Sequence, residues 1–161
     1  LLINLLTAIL ASIVIGFFDG TIEQMVALAI LMPIVASMGG NAATQTLTIT
    51  VRALATRELL AINTLRVIGR EMGIGLLNGI LFAVLLGLTG WFWFGSEMLG
   101  IVLAMAMIVN MFVAGLAGIL VPIWLNKVGI DPAIASGVFV TTITDIVGFL
   151  AFLGFATIFL I

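Results

Sequence analysis

One acidic residue, Asp145, stands deep inside an apolar run, which makes it the side chain best placed to meet a metal ion. It follows Asp131 by 14 residues, about 21 Å along a helix, and 16 residues remain after it. In a membrane-crossing helix this puts it near the bilayer midplane, where an unpaired carboxylate costs at least ~2.5–3.5 kcal/mol. Thr141, Thr144 and Gly148 share its face at i−4, i−1 and i+3, with Thr142 nearby. Those hydroxyls can satisfy a protonated Asp145, or the carboxyl can clamp two helices. Every Arg and Lys, however, sits at the edge of an apolar run. A cation drawn from solution is therefore the simplest counter-charge.

A second polar feature lies in the run Pro33-Ile-Val-Ala-Ser-Met-Gly-Gly-Asn-Ala-Ala-Thr-Gln-Thr-Leu-Thr, which ends at Thr48. Glycines, amides and hydroxyls stand here where a lipid-facing helix carries Leu and Val. Polar groups at that depth are tolerated only when buried in protein or lining a wet cavity. Asn41 precedes Arg52 by 11 residues, and Gln45 and Thr48 follow it on one face at i+4 and i+7. Asn41 and Asp145 thus reach comparable depths, about 16 and 21 Å from the same membrane edge. A carboxylate, a carboxamide and hydroxyls at one level suit a partly hydrated hard cation. Magnesium fits, because it gives up water reluctantly and is held by few carboxylates. The weaker reading is that Asn41 and Gln45 only bridge helices.

Composition sets the frame around these residues. Hydrophobic residues make up 64% and charged residues 7% of 161, against about 25% charged in a soluble domain. That excludes a water-soluble fold. One domain is the expectation, and at about 20 residues per crossing the chain crosses a bilayer about five times. There is no cysteine and no histidine. Disulfides, thiolate zinc sites, imidazole-ligated haem, cysteine nucleophiles and histidine-based triads are all removed together. Any metal is held by oxygen, which selects hard cations. The net charge of −2 argues for no partner, nucleic acid included.

The expected fold is an all-α integral membrane protein of five transmembrane helices, covering about 1–18, 22–55, 66–94, 97–127 and 131–161. The chain opens on an apolar run with no basic n-region or cleavage signal, so we read a first membrane helix whose upstream sequence is not included. Asp19 or Thr21 is the expected N-cap of the second helix. That helix, near 50 Å if unbroken, is expected to bend or open a turn at Pro33 and Gly39-Gly40. Arg52 to Glu71 carries Arg52, Arg57, Arg66 and Arg70 with apolar residues at helical spacing, and reads as an amphipathic interfacial connector. Gly69/Gly73 and Gly75/Gly79 are GxxxG pairs suited to close helix packing. Trp91-Phe-Trp-Phe94 reads as an interfacial aromatic belt. Asn78 and Asn110, single amides in the third and fourth crossings, read as interhelical hydrogen bonds. Asp131 and Pro132 form an N-cap and N1 pair for the last helix.

With five crossings, all five basic residues fall in two connections, and the other two carry only Asp19, Glu23 and Glu97. The positive-inside rule then puts the N-terminus in the cytoplasm and the C-terminus outside.

From Pro33 to Gln45 and on through Thr-Leu-Thr-Ile-Thr-Val-Arg-Ala-Leu-Ala, the sequence resembles the membrane domain of the MgtE magnesium channels. The likeness extends to Arg70-Glu-Met-Gly-Ile-Gly-Leu-Leu-Asn-Gly, to Val128-Gly-Ile-Asp-Pro-Ala and to Thr144-Asp-Ile-Val-Gly, which together touch four of the five helices in order. It implies a homodimer in the cell's inner (plasma) membrane with one ion path at the dimer axis, lined by the second and fifth helices. It implies that Asp145 faces hydrated Mg²⁺, helped by Asn41 and by backbone near Ser37 and Thr141. Gly40, Thr44, Gln45, Thr48 and Thr144 would line the path. Asp131 would sit at the cytoplasmic mouth, where Mg²⁺ acts as regulator as well as transported ion. Two departures stand out: Ala43 occupies a position where the family often has Gly, and the family's cytoplasmic N-terminal and CBS domains are absent from these 161 residues.

The leading reading is thus a passive magnesium or divalent-cation channel, not an enzyme. A coupled secondary transporter shares midplane acids and broken helices, but no internal repeat supports it. An aspartyl protease needs two carboxylates sharing a proton, and each chain offers one. A structural membrane subunit leaves Asp145 without a reason.

Overall fold

The computed structural model describes residues 1–57 and 64–160, and among these every regular element is a helix. They are α1 (Leu2–Gly16), α2 (Asp19–Gln24), α3 (Ala27–Ala55), α4 (Thr64–Phe94), α5 (Glu97–Lys127) and α6 (Pro132–Phe159). Four of them, α3 to α6, are long and apolar enough to cross a membrane. With α1 at 15 residues, about 22 Å, the first apolar stretch is shorter than the ~30 Å hydrocarbon core.

The helix α5 is the hub, packed against α3, α4 and α6. Its Leu99, Val102, Met111, Gly115 and Ile119 are buried on different sides of the helix, as expected of an element surrounded by protein. Small residues let α4 and α5 approach. A Cβ added at Gly79 would lie 3.2 Å from Ile108 Cα, one at Gly75 would lie 3.0 Å from the Met111 carbonyl oxygen, and Gly87 faces Gly100. The Gly75/Gly79 pair is therefore an intrachain packing face. Gly69 and Gly73 have nothing within 4 Å of an added Cβ, so that GxxxG pair meets no neighbour among the described residues.

Three expectations are corrected. Of the bend or opened turn expected at Pro33 and Gly39-Gly40, the opened turn is absent: α3 is continuous from Ala27 to Ala55 with Pro33 inside it. Pro33 removes one backbone bond, while Leu28, Leu31, Val35 and Gly39 are buried on both sides of it, and that packing holds the helix together. The interruption comes earlier, at Met25, where φ −143° and ψ 93° separate α2 from α3. Asp19 and Thr21 do not cap the second helix either. Both lie inside α2, and the Thr21 hydroxyl meets that of Thr157 at 2.8 Å, tying α2 to the end of α6. Finally, Arg66 and Arg70 already belong to α4 rather than to a separate connector. The remainder of that connector, residues 58–63, lies outside the described residues.

The turns follow their sequences. Gly95 (φ 67°) and Gly129 (φ 84°) take the left-handed conformation that ends α4 and α5, which glycine adopts without a Cβ clash. Ser96 caps α5, its side chain accepting from the Leu99 N–H at 3.2 Å. The Asp131 carboxylate accepts from the Ala133 N–H at 3.0 Å, with Pro132 opening α6, as its sequence predicts.

Candidate functional site

Two faces of α3 have opposite chemistry. Leu28, Leu31, Val35, Gly39, Ala43, Leu47 and Thr50 form its buried stripe. Ser37, Asn41, Thr44, Gln45, Thr48 and Arg52 are exposed, with Ile49 beside them and Ile30 nearer the start of the helix. On α4 the exposed surface is the reverse, with Leu77, Leu81, Val84, Leu85 and Phe92 outward. A helix that turns amides and hydroxyls outward at membrane depth needs water, an ion or another protein surface against them.

On α6 the buried stripe is Ser136, Val140, Thr144, Gly148, Phe152 and Ala156. Thr141 is exposed and Asp145 is half-buried. Thr144 is on the inward side, its hydroxyl donating to the Val140 carbonyl at 3.2 Å and the Thr141 carbonyl at 3.0 Å. The structure thus separates Thr144 from the outward polar groups with which the sequence placed it.

The heights of Asn41 and Asp145 follow from a shared neighbour. The Asn110 side chain of α5 lies against both Gly39 of α3 and Gly148 of α6. Further along, Ala43 and Leu47 pack in one cluster with Val140, so α3 and α6 run antiparallel. Asn41 is two residues past Gly39 and Asp145 three residues before Gly148, which are rises of about 3.0 and 4.5 Å in the same direction. The two groups are level to within about one residue.

The hydroxyls of Thr44 and Thr48 donate to the Gly40 and Thr44 carbonyls, each at 2.8 Å. Each hydroxyl oxygen keeps lone pairs to offer outward, so the face is one of acceptors. Gln45 also turns toward α4. With Thr46, Arg70, Glu71 and Asn78 it lines a cleft of about 190 Å³ between α3 and α4, floored by Met111 and Gly115 of α5. Asn78 therefore lies in a cleft, whereas Asn110 makes the expected interhelical bond, donating to the Val35 carbonyl at 2.9 Å. Ser37 is exposed, Gly40 is half-buried, and Asp131 is exposed at the start of α6.

Among the described residues, no three of His, Cys, Asp or Glu come together. Of the two helices α3 and α6, only α6 carries a carboxylate, Asp145. Sequence reading missed Gly39 and Gly148 as the seats of Asn110. Their spacing of more than a hundred residues leaves no local signal.

These features define a multi-pass, all-helical membrane protein with an outward-facing polar stripe level with an acidic residue. A family model described as MgtE, divalent cation transporter, matches residues 32–155. The chain belongs to that family. It is 34% identical over 160 residues to the magnesium transporter MgtE of Bacillus subtilis, and 36% identical over 160 residues to that of Thermus thermophilus. It is 34% identical over 143 residues to the corresponding protein of Enterococcus faecalis. These matches cover 99%, 99% and 89% of this chain. They cover 36%, 35% and 32% of the relatives, so the chain spans about a third of their length.

Proposed function

We propose that this chain is a membrane domain that conducts magnesium passively inward through a path between two copies of itself, lined by α3 and α6. The observation that carries the reading is the exposed polar stripe of α3, level with Asp145, on a molecule whose other long exposed helix face is apolar. Two copies placed stripe to stripe remove those groups from lipid and bring two Asp145 carboxylates to one axis, which suits a divalent ion. The names of the relatives point to magnesium. Asn41, Thr44, Thr48 and Thr141 supply acceptors for the water shell, with backbone near Ser37 and Gly40. Asp131 stands at the cytoplasmic mouth. With α1 as a fifth crossing, the N-terminus is cytoplasmic and the C-terminus outside. A membrane potential of 100 mV drives a divalent cation inward with about 4.6 kcal/mol, twice the value for a single charge.

The test is magnesium influx into liposomes carrying the wild-type chain beside Asp145→Asn, with dimer content checked by light scattering. Loss of influx in a folded, dimeric variant supports the site. Equal influx in both would make Asp145 a structural group and remove it from the path.

A further inference from the structure

From the packing around Asn110 we infer that this residue is a positioning wedge that sets the height of Asn41 on α3 against Asp145 on α6, and through it the ion preference of the path. The inference rests on the channel reading above.

Asn110 is fully buried at the centre of α5. Its Nδ2 donates to the Val35 carbonyl at 2.9 Å, which fixes the amide against α3. The same amide fills the space where two side chains are missing. A Cβ at Gly39 would overlap Nδ2 and lie 2.8 Å from Asn110 Cγ, and one at Gly148 would lie 2.8 Å from Nδ2. Glycine on both helices thus makes one socket for one side chain. Gly39 faces inward two residues from outward-facing Asn41, and Gly148 lies less than one turn from Asp145. The wedge therefore stands directly behind the wall that carries the candidate ion groups.

Two helices packed only through apolar side chains can slide by fractions of a residue, since such contacts have little direction. A directed bond to one carbonyl, combined with a close fit to one Cα on each helix, removes that freedom. Leucine or alanine at 110 would keep a membrane-compatible core and lose the register. Among the described residues the Oδ1 atom has no hydrogen-bond partner. Burying that oxygen unpaired carries a cost, so an apolar residue of similar size would serve simple packing better. Its presence is explained by what Nδ2 fixes.

The test uses Asn110→Ala, Gly39→Ala and the double variant in proteoliposomes, with influx measured per folded dimer for Mg²⁺ and Mn²⁺ separately. We expect Asn110→Ala to shift the half-saturating Mg²⁺ concentration by about tenfold, the scale of groups that orient metal ligands, and to change the Mg²⁺-to-Mn²⁺ ratio. Gly39→Ala alone should lose influx, because its methyl meets the amide. The double variant should regain part of it, because the new methyl takes the vacated space. If Asn110→Ala lowers only the yield of folded dimer, with half-saturation and ion ratio unchanged, the residue is merely structural and the inference falls. If Gly39→Ala is as damaging with Ala at 110 as with Asn, the socket is wrong. Asp145→Asn measured alongside separates the two ideas. Should it leave influx intact while the Asn110 variants alter it, Asp145 lies outside the path and the pairing of Asn41 with Asp145 falls with it, leaving the wedge to act through α3 alone. Should it abolish influx while the Asn110 variants leave half-saturation and ion ratio unchanged, the path stands and the wedge falls.

Discussion

At the scale of single residues, charge and dipole have different weights at the candidate site. Asp145 is the one ionisable group on α6, and Asn41 adds a carboxamide dipole at its level. Removing the dipole should hurt less than removing the charge. Replacing Asn41 with Leu, which keeps the helix and its membrane compatibility, is expected to weaken Mg²⁺ half-saturation by about tenfold, with Asp145→Asn losing more. Concentration-dependent influx in liposomes checks the order, and an unaltered Asn41→Leu curve would take the amide out of the path. Asp145 and Asn41 were legible in the sequence because polarity in an apolar run is visible without coordinates. The inward placement of Thr144 was not. It lies one residue from Asp145, and 100° of helical rotation decides between outside and inside. Only the packing of α6 on α5 and α3 fixes where that boundary falls.

At the scale of elements, the glycines separate into those that admit a neighbour and those that do not. A Cβ at Gly118 would stand 2.7 Å from Thr46 Cβ and 2.9 Å from the Ala43 carbonyl oxygen, so α3 and α5 cross closely there. Gly118→Ala should force the two backbones apart and destabilise the fold by about 1–3 kcal/mol, the usual cost of overpacking. Gly73, with nothing within 4 Å and within α4, is the matched control. Ala there should be neutral or stabilise by up to ~1 kcal/mol, through helix propensity alone. Thermal unfolding in detergent distinguishes them, and a Gly118→Ala melting curve identical to the wild type would refute the close crossing. The start of α6 was readable from Asp131 and Pro132, because a cap is local chemistry. The fate of Pro33 was not readable. A local rule predicts a lost bond, while the buried residues of α3 on either side decide whether the helix survives it.

At the scale of the whole molecule, the unpaired face of α3 is the feature that one chain leaves unresolved. A two-fold axis brings a residue near it into contact with its own counterpart, and the outward stripe of Asn41, Thr44 and Thr48 is where polar contact between copies costs least. The chain has no cysteine, so a single introduced thiol reports cleanly on that axis. A bifunctional thiol reagent that bridges a gap should join Thr48→Cys in native membranes into a dimer, since the two residues face one another across the proposed path at more than the ~7 Å a direct disulfide allows. Leu81→Cys, outward on the apolar face of α4, should remain monomeric on the same non-reducing gel. Cross-linking at Leu81 and not at Thr48 would place the interface on α4 and leave the polar stripe of α3 to water. The path would then run through each chain separately, on the side where Gln45, Asn78 and Glu71 already line a cleft between α3 and α4.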